Sequence, residues 1–182
     1  MTKFPITSKF NADDSFRDHI HKGVDFAFPR DTELRSIMDG VVDRVIMVDN
    51  GTSWGKAVFV KFENGMTGIY AHMNKTIVHK GDSVEVGELL GYSGNTGATF
   101  GQNGGYHLHF GLKDINGDYI NPEPYIPLIQ NMDKLQEFSD NFQVGNFSKL
   151  DHTEIFNQAM DSFGNSLLDL KINMINLLPY IF

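Results

Sequence analysis

Cysteine is absent from the 182-residue chain. Thiol nucleophiles, thiolate metal sites and disulfide staples are excluded with it. Any metal site must be built from nitrogen and oxygen donors. A surplus of basic residues is missing as well: 15 Lys and Arg stand against 23 Asp and Glu, a formal charge of −8. No basic stripe is available for phosphates, which argues against a nucleic-acid partner. No apolar run approaches the roughly 18 residues of a transmembrane span. The stretch Met1 to Phe10 mixes polar and apolar side chains, without the basic-then-apolar layout of a signal peptide. A protein of this kind acting outside a cell is expected to be exported otherwise, released by lysis, or read here without its leader.

Helical periodicity is also missing from about Val24 to Leu112, where short β-branched and aromatic runs alternate with glycine. Runs at Val41–Val48, Lys56–Glu63, Met66–His72, Ser83–Val86, Glu88–Tyr92 and His107–Lys113 read as strands. Asn64-Gly65 between two of them signals a hairpin with a two-residue type I′ turn. That turn sets Glu63 against Met66 and Ala57 against His72. Asn50-Gly51 predicts a further turn. The expected fold is mostly β: a compact antiparallel sheet core with a substrate groove, spanning residues 1–128. Residues 129–152 read as a linker, and 153–182 as an amphipathic C-terminal helix. In that helix Phe156, Met160, Phe163, Leu167, Leu170, Met174 and Leu177 follow an a/d spacing, which Pro179 ends.

Three sequence features carry chemistry. In His107-Leu108-His109 both imidazoles share one strand face while Leu108 turns to the core. This suits two metal ligands, or one ligand and one acid/base group, and spacing alone does not say which histidine would bind. In His21-Lys22-Gly23-Val24-Asp25 the outer residues share a face. In a straight strand they would sit roughly 13 Å apart at about 3.3 Å per residue. Joint action requires a bend, and Gly23 at the midpoint can bend without placing a side chain where a metal would lie. The third feature is His72 in Tyr70-Ala71-His72-Met73. Each alone fits an ordinary structural or exposed residue. Together they supply what catalytic zinc requires, three ligands and an open position, with imidazoles left to move protons.

These features, in this order, resemble the lysostaphin- and LytM-type zinc endopeptidases of peptidoglycan. That family carries H-x-x-x-D early, an aromatic-x-His segment in the middle and H-x-H late. The stretches Lys80–Tyr92 and Ser93-Gly94-Asn95-Thr96-Gly97 are similar to it too, and the likeness covers about residues 14 to 127. The resemblance implies Zn²⁺ held by His21, Asp25 and His109, with His72 and His107 as the non-ligand catalytic pair. It implies hydrolysis of a peptide bond in the stem or cross-bridge. One departure stands out: family members often carry a tyrosine shortly before the first zinc histidine, where this chain has Ser15, Phe16 and Arg17. Oxyanion stabilisation then falls to His72 or His107.

Other readings fare worse. His19 forms a second H-x-H with His21, but Asp25 keeps the family's spacing from His21. His79 sits in an expected surface turn, and His152 lies in the linker. Around Ser93 the second glycine of G-x-S-x-G is missing, and the glycine-rich loop Gly94–Gly105 has no G-K-[ST]. A biotinyl- or lipoyl-carrier domain would need a modifiable lysine at a hairpin tip, and none is found. A non-catalytic scaffold or amidase activator of the same fold is the alternative, opposed by the presence of all five site residues. The C-terminal helix lacks the usual run of e and g charges, those positions holding Ala159, Gly164, Ser166, Lys171 and Asn173, and is widened by Leu168, Ile172 and Ile175. It is read as a surface for self-association or for docking within a virion, as in a phage tail-associated lysin. The expected location is extracellular or virion-associated.

Overall fold

The computed structural model describes residues 4–13, 20–49, 51–99 and 102–135. Its strands are β1 (Ile6–Ser8), β2 (Val24–Phe26), β3 (Glu33–Arg35), β4 (Gly40–Ile46), β5 (Lys56–Phe62), β6 (Thr67–Thr76), β7 (Ser83–Val84), β8 (Leu89–Ser93) and β9 (Leu108–Lys113). They form one antiparallel sheet in the order β1-β2-β9-β6-β5-β4-β7, with β8 pairing the far half of β6 and β3 pairing β8. The mostly-β antiparallel architecture expected from the sequence is the one observed.

Alternation along the central strands sorts side chains between two faces. Leu108, Phe110 and Leu112 of β9 enter the main core, joined by Val24 and Phe26 of β2, Tyr70 of β6 and Val58, Val60 and Phe62 of β5. On the opposite face Ile46, Ala57, Phe59, Ile69 and Ala71 form a smaller apolar cluster, with Trp54 and Tyr119 packed against it. This second face carries the histidines.

The first hairpin departs from the expected register by one residue. Lys61 pairs Thr67 and Phe62 N–H donates to the Met66 carbonyl at 2.8 Å, leaving a three-residue loop, Glu63-Asn64-Gly65. Gly65 takes the left-handed conformation, φ +85°, and Asn64 Oδ1 accepts the Met66 N–H at 3.1 Å. That side-chain bond favours the longer loop over the two-residue turn. A one-residue slip would invert every side chain, and a bulge further along corrects it. Beyond Val58↔Tyr70 the pairing resumes at Lys56↔Met73. Ala71 and His72 therefore stand together opposite Ala57, with His72 at φ +60°.

After β9 a 3₁₀ turn at Glu123–Tyr125 leads into α1 (Ile126–Gln130), with Pro127 in its first turn, where a missing N–H is tolerated. Residues 132–135 are helical too, and Ile129, Met132 and Leu135 lie in the main core. The segment read as linker from 129 is thus packed helix as far as 135. Its scattered apolar positions are three apart, and so share one helical face. Gln130 Oε1 accepts the Phe4 N–H at 2.8 Å, tying this end of the chain to the beginning. The rest of the expected linker and the C-terminal helix lie outside the described residues. Among the described residues no helix is long and apolar enough to cross a membrane.

Leu108 is fully buried between the two site histidines. Leu108→Ala is expected to cost about 2–5 kcal/mol of stability by cavity formation, read as a lower urea midpoint with an unchanged slope.

Candidate metal centre and active site

Three adjacent strands bring the site residues together. Asp25 sits at the centre of β2, directly opposite His109 of β9, which in turn lies opposite Ala71 of β6. His107 precedes β9 and bridges Gly94. His21 lies before β2, with its carbonyl accepting the Asn11 N–H at 2.8 Å. The expected bend falls at Gly23 and folds His21 back over Asp25, bringing Nε2 to 3.1 Å from Oδ1. A Cβ on Gly23 would stand 2.6 Å from Cε1 and Nε2 of His109. Only glycine lets the chain turn against that ring.

His21 Nε2, Asp25 Oδ1 and His109 Nδ1 form a buried triangle with edges of 3.1, 3.0 and 2.8 Å. Tetrahedral zinc with bonds of about 2.0–2.1 Å sets its ligand atoms about 3.3 Å apart, so the triangle is close to one face of that tetrahedron. The donor chemistry fits as well. His21 Nδ1 faces the Lys9 carbonyl at 2.8 Å, with Ser8 Oγ at 2.9 Å. A carbonyl only accepts, so Nδ1 carries the proton and Nε2 presents a lone pair to the centre. His109 Nε2 is buried without a hydrogen-bond partner, and this ring is held by packing against Gly23 and Trp54. A proton can satisfy one edge of such a triangle; a divalent cation satisfies all three corners.

His72 and His107 stand beside the triangle with ring centroids 4.5 Å apart. His72 Nδ1 donates to the Thr96 carbonyl at 2.9 Å and His107 Nδ1 to the Gly105 carbonyl at 2.8 Å. Both therefore keep a free lone pair on Nε2, and that of His107 lies 3.9 Å from Asp25 Oδ2. The bulge explains how His72 gets there, because it lets Ala71 and His72 share the site face in succession. The left-handed conformation costs of order 1–3 kcal/mol for a residue other than glycine, and glycine would bring no imidazole.

Electrostatics follow from burial. Desolvation raises the Asp25 carboxyl, but the facing ring nitrogens of His109 and His21, which donate to it whenever they carry a proton, outweigh it and hold the group well below the usual carboxylate range. Burial, reinforced by the neighbouring His107 and His109, pushes His72 down to about 3. His109 is also lowered, mainly by burial. At neutral pH the centre thus holds a carboxylate beside the neutral imidazoles of His72 and His109.

All five residues singled out in the sequence converge here. The structure adds Trp54, whose ring meets His109 edge-on at 5.4 Å and whose carbonyl accepts the His72 N–H at 3.0 Å. It also adds the orienting carbonyls of Lys9, Thr96 and Gly105. Backbone acceptors have no sequence signature, and Trp54 lies in the long β4–β5 connection, away from every motif. Ser93 is ruled out as a nucleophile, since its Oγ donates to the Pro29 carbonyl and accepts the Thr32 N–H. His79 is exposed beside Asp82, while residues 15–17, His19 and His152 lie outside the described residues.

Residues 19–122 match peptidase family M23, and the chain belongs to that family. It is 32% identical over 143 residues to the peptidoglycan DD-endopeptidase ShyA of Vibrio cholerae, covering 72% of this chain and 31% of ShyA. The structure of LytU is similar at 31% identity and a TM-score of 0.58, over 71% of this chain and 88% of LytU. A zinc-containing peptidase from Vibrio cholerae is similar at 27% identity and a TM-score of 0.55, over 65% of this chain and 36% of that one. The chain spans about a fifth to a third of the curated relatives' length.

Trp54 is the single tryptophan, so its fluorescence reports on the centre. Titrating Zn²⁺ into the chelated protein is expected to change that fluorescence saturably. Gly23→Ala, which crowds the His109 ring, should weaken the response by about tenfold or more. A pH effect follows from His72, which has an ordinary value of 6.5 and titrates at about 3 in the fold. As pH falls below 6.5 the unfolded chain takes up a proton that the folded chain refuses, so stability declines across this window. Asp25 adds to the loss at lower pH, because the fold favours its ionised form. Melting of the metal-free protein should fall steadily between about pH 7 and pH 4, and His72→Gln should make that slope shallower.

Proposed function

We propose that the chain is a zinc-dependent endopeptidase that hydrolyses peptide bonds in the stem or cross-bridge of bacterial peptidoglycan. The observation that carries this reading is the buried triangle of His21 Nε2, Asp25 Oδ1 and His109 Nδ1, with edges near 3 Å, beside two imidazoles that present lone pairs. The activities named for ShyA and for the DD-carboxypeptidase/endopeptidase Mpg of Neisseria meningitidis support the substrate class. The zinc in the Vibrio cholerae peptidase supports the metal.

In this reading His21, Asp25 and His109 hold Zn²⁺, which when bound polarises the scissile carbonyl and lowers the pKa of an attacking water. His72 and His107 are the catalytic pair. Each is fixed with its proton on Nδ1, so each Nε2 can accept a proton from the water and return it to the leaving amine. The depressed basicity of His72 keeps it unprotonated at neutral pH, and makes it a strong donor once charged. Once one of these rings has taken up a proton on Nε2, it can donate to a developing oxyanion. A scaffold or amidase-activator role would not require two imidazoles held in the acceptor tautomer beside an intact donor triangle. Such a substrate puts the site of action in the cell wall, reached by an exported chain or from a virion.

Digestion of purified peptidoglycans with different cross-bridges should release new amino termini, identified by mass spectrometry, and chelation should stop it. His109→Ala is expected to remove both zinc and activity. His72→Ala and His107→Ala should keep zinc, measured by elemental analysis, while losing about 10²–10⁴-fold in rate. Activity that survives both chelation and His109→Ala rejects the reading.

A further inference from the structure

The second apolar cluster ends at Tyr119, and two ammonium groups gather on that ring. Lys22 Nζ lies 5.2 Å from its centroid and Lys113 Nζ 4.6 Å. Neither lysine has a carboxylate partner among the described residues, although acidic residues outnumber basic ones by 23 to 15. Two ammonium groups within 5.2 Å of one partly buried ring concentrate positive charge that the ring does not neutralise. An anion at the edge of that ring would be drawn to both.

Their placement ties them to the candidate active site. Lys22 is the residue between His21 and Gly23. Lys113 shares a face of β9 with His107 and His109, four residues beyond His109. That is about 13 Å along a strand, the reach of three or four extended substrate residues. Gly111, the only residue of that face between them, presents no side chain. Tyr119 and Trp54 cover the same apolar cluster, and Trp54 touches His109. One apolar cluster thus links the ring beside the donor triangle to the ring beside the two lysines.

We infer that Lys22 and Lys113, set around Tyr119, form a subsite for a carboxylate of the peptide substrate, one arm's length from the bond that is cut. The inference rests on the endopeptidase reading above and adds to it a determinant of specificity. Stem peptides carry carboxylates both on side chains and at free C-termini, and either would meet the same two ammonium groups.

The test uses the zinc-loaded chain and a synthetic cross-linked stem-peptide dimer in four forms: free acid, side-chain amidated, C-terminally amidated and fully amidated. The free acid should be cleaved with a kcat/KM about fivefold above the fully amidated dimer, the scale of a partly exposed charge pair. The singly amidated forms identify which carboxylate is read. Lys22→Met and Lys113→Met keep an unbranched stem and should abolish the preference by slowing the free acid alone, while Lys113→Arg should restore it. Indifference of the wild-type chain to amidation, or equal losses on all four dimers, would overturn the subsite while leaving the endopeptidase reading intact. If no dimer is cut, that reading fails. The subsite is then judged by dimer binding in NMR titrations: selective weakening of the free acid by Lys113→Met upholds it, and equal binding of all forms refutes it.

Discussion

Three lone pairs meeting at the corners of a buried triangle are the constraint that organises the second face of this sheet. Placing His21 Nε2, Asp25 Oδ1 and His109 Nδ1 within 3.1 Å of one another is unfavourable without something positive between them. The surrounding structure holds them there nonetheless. The β2–β9 register sets Asp25 against His109, the turn at Gly23 folds His21 inward, and the segment after β1 holds the outer nitrogen of His21. Each device answers a different strand, and the loss of any one would open the triangle. The apolar core on the other face supplies the rigidity that keeps these atoms converged.

Two kinds of histidine result from one arrangement. His21 and His109 aim nitrogens into the triangle, while His72 and His107 stand outside it with their proton positions set by backbone carbonyls. Burial keeps His72 unprotonated at neutral pH. Asp25 stays ionised because the imidazoles facing it favour its charged form by more than burial disfavours it. Acceptors and carboxylate thus coexist in a small volume without sharing protons at random, a condition for ordered proton transfer.

Much of this was legible in the chain. Period-2 alternation in His107-Leu108-His109 is local, and so are the bend needed between His21 and Asp25 and the glycine that permits it. The three-residue β1, β2 and β3 are too short to show a period, while strands β4 to β9 were legible for the same reason. The hairpin register was not, because Asn-Gly is compatible with a two- and a three-residue loop. The choice rests on Asn64 bonding Met66, a contact that the dipeptide alone does not fix. The bulge at Ala71-His72 is a tertiary compromise between β5 and the loop holding His72, so no run of residue types announces it. Trp54 was missed because a loop tryptophan has no period. The helical residues reaching to Leu135 were taken for linker because the stretch from 129 is polar with scattered apolar positions, although Ile129, Met132 and Leu135 share one helical face.

The outer partners of His21, His72 and His107 are the carbonyls of Lys9, Thr96 and Gly105, and this has an evolutionary consequence. A carbonyl belongs to the path of the chain and not to the identity of the residue that bears it. Side chains in these segments can therefore drift without altering which nitrogen of each imidazole holds its proton. Changes in loop length have no such freedom, since they move the carbonyls themselves. Diversification of this site should be tolerant of substitution and intolerant of insertion at these three points.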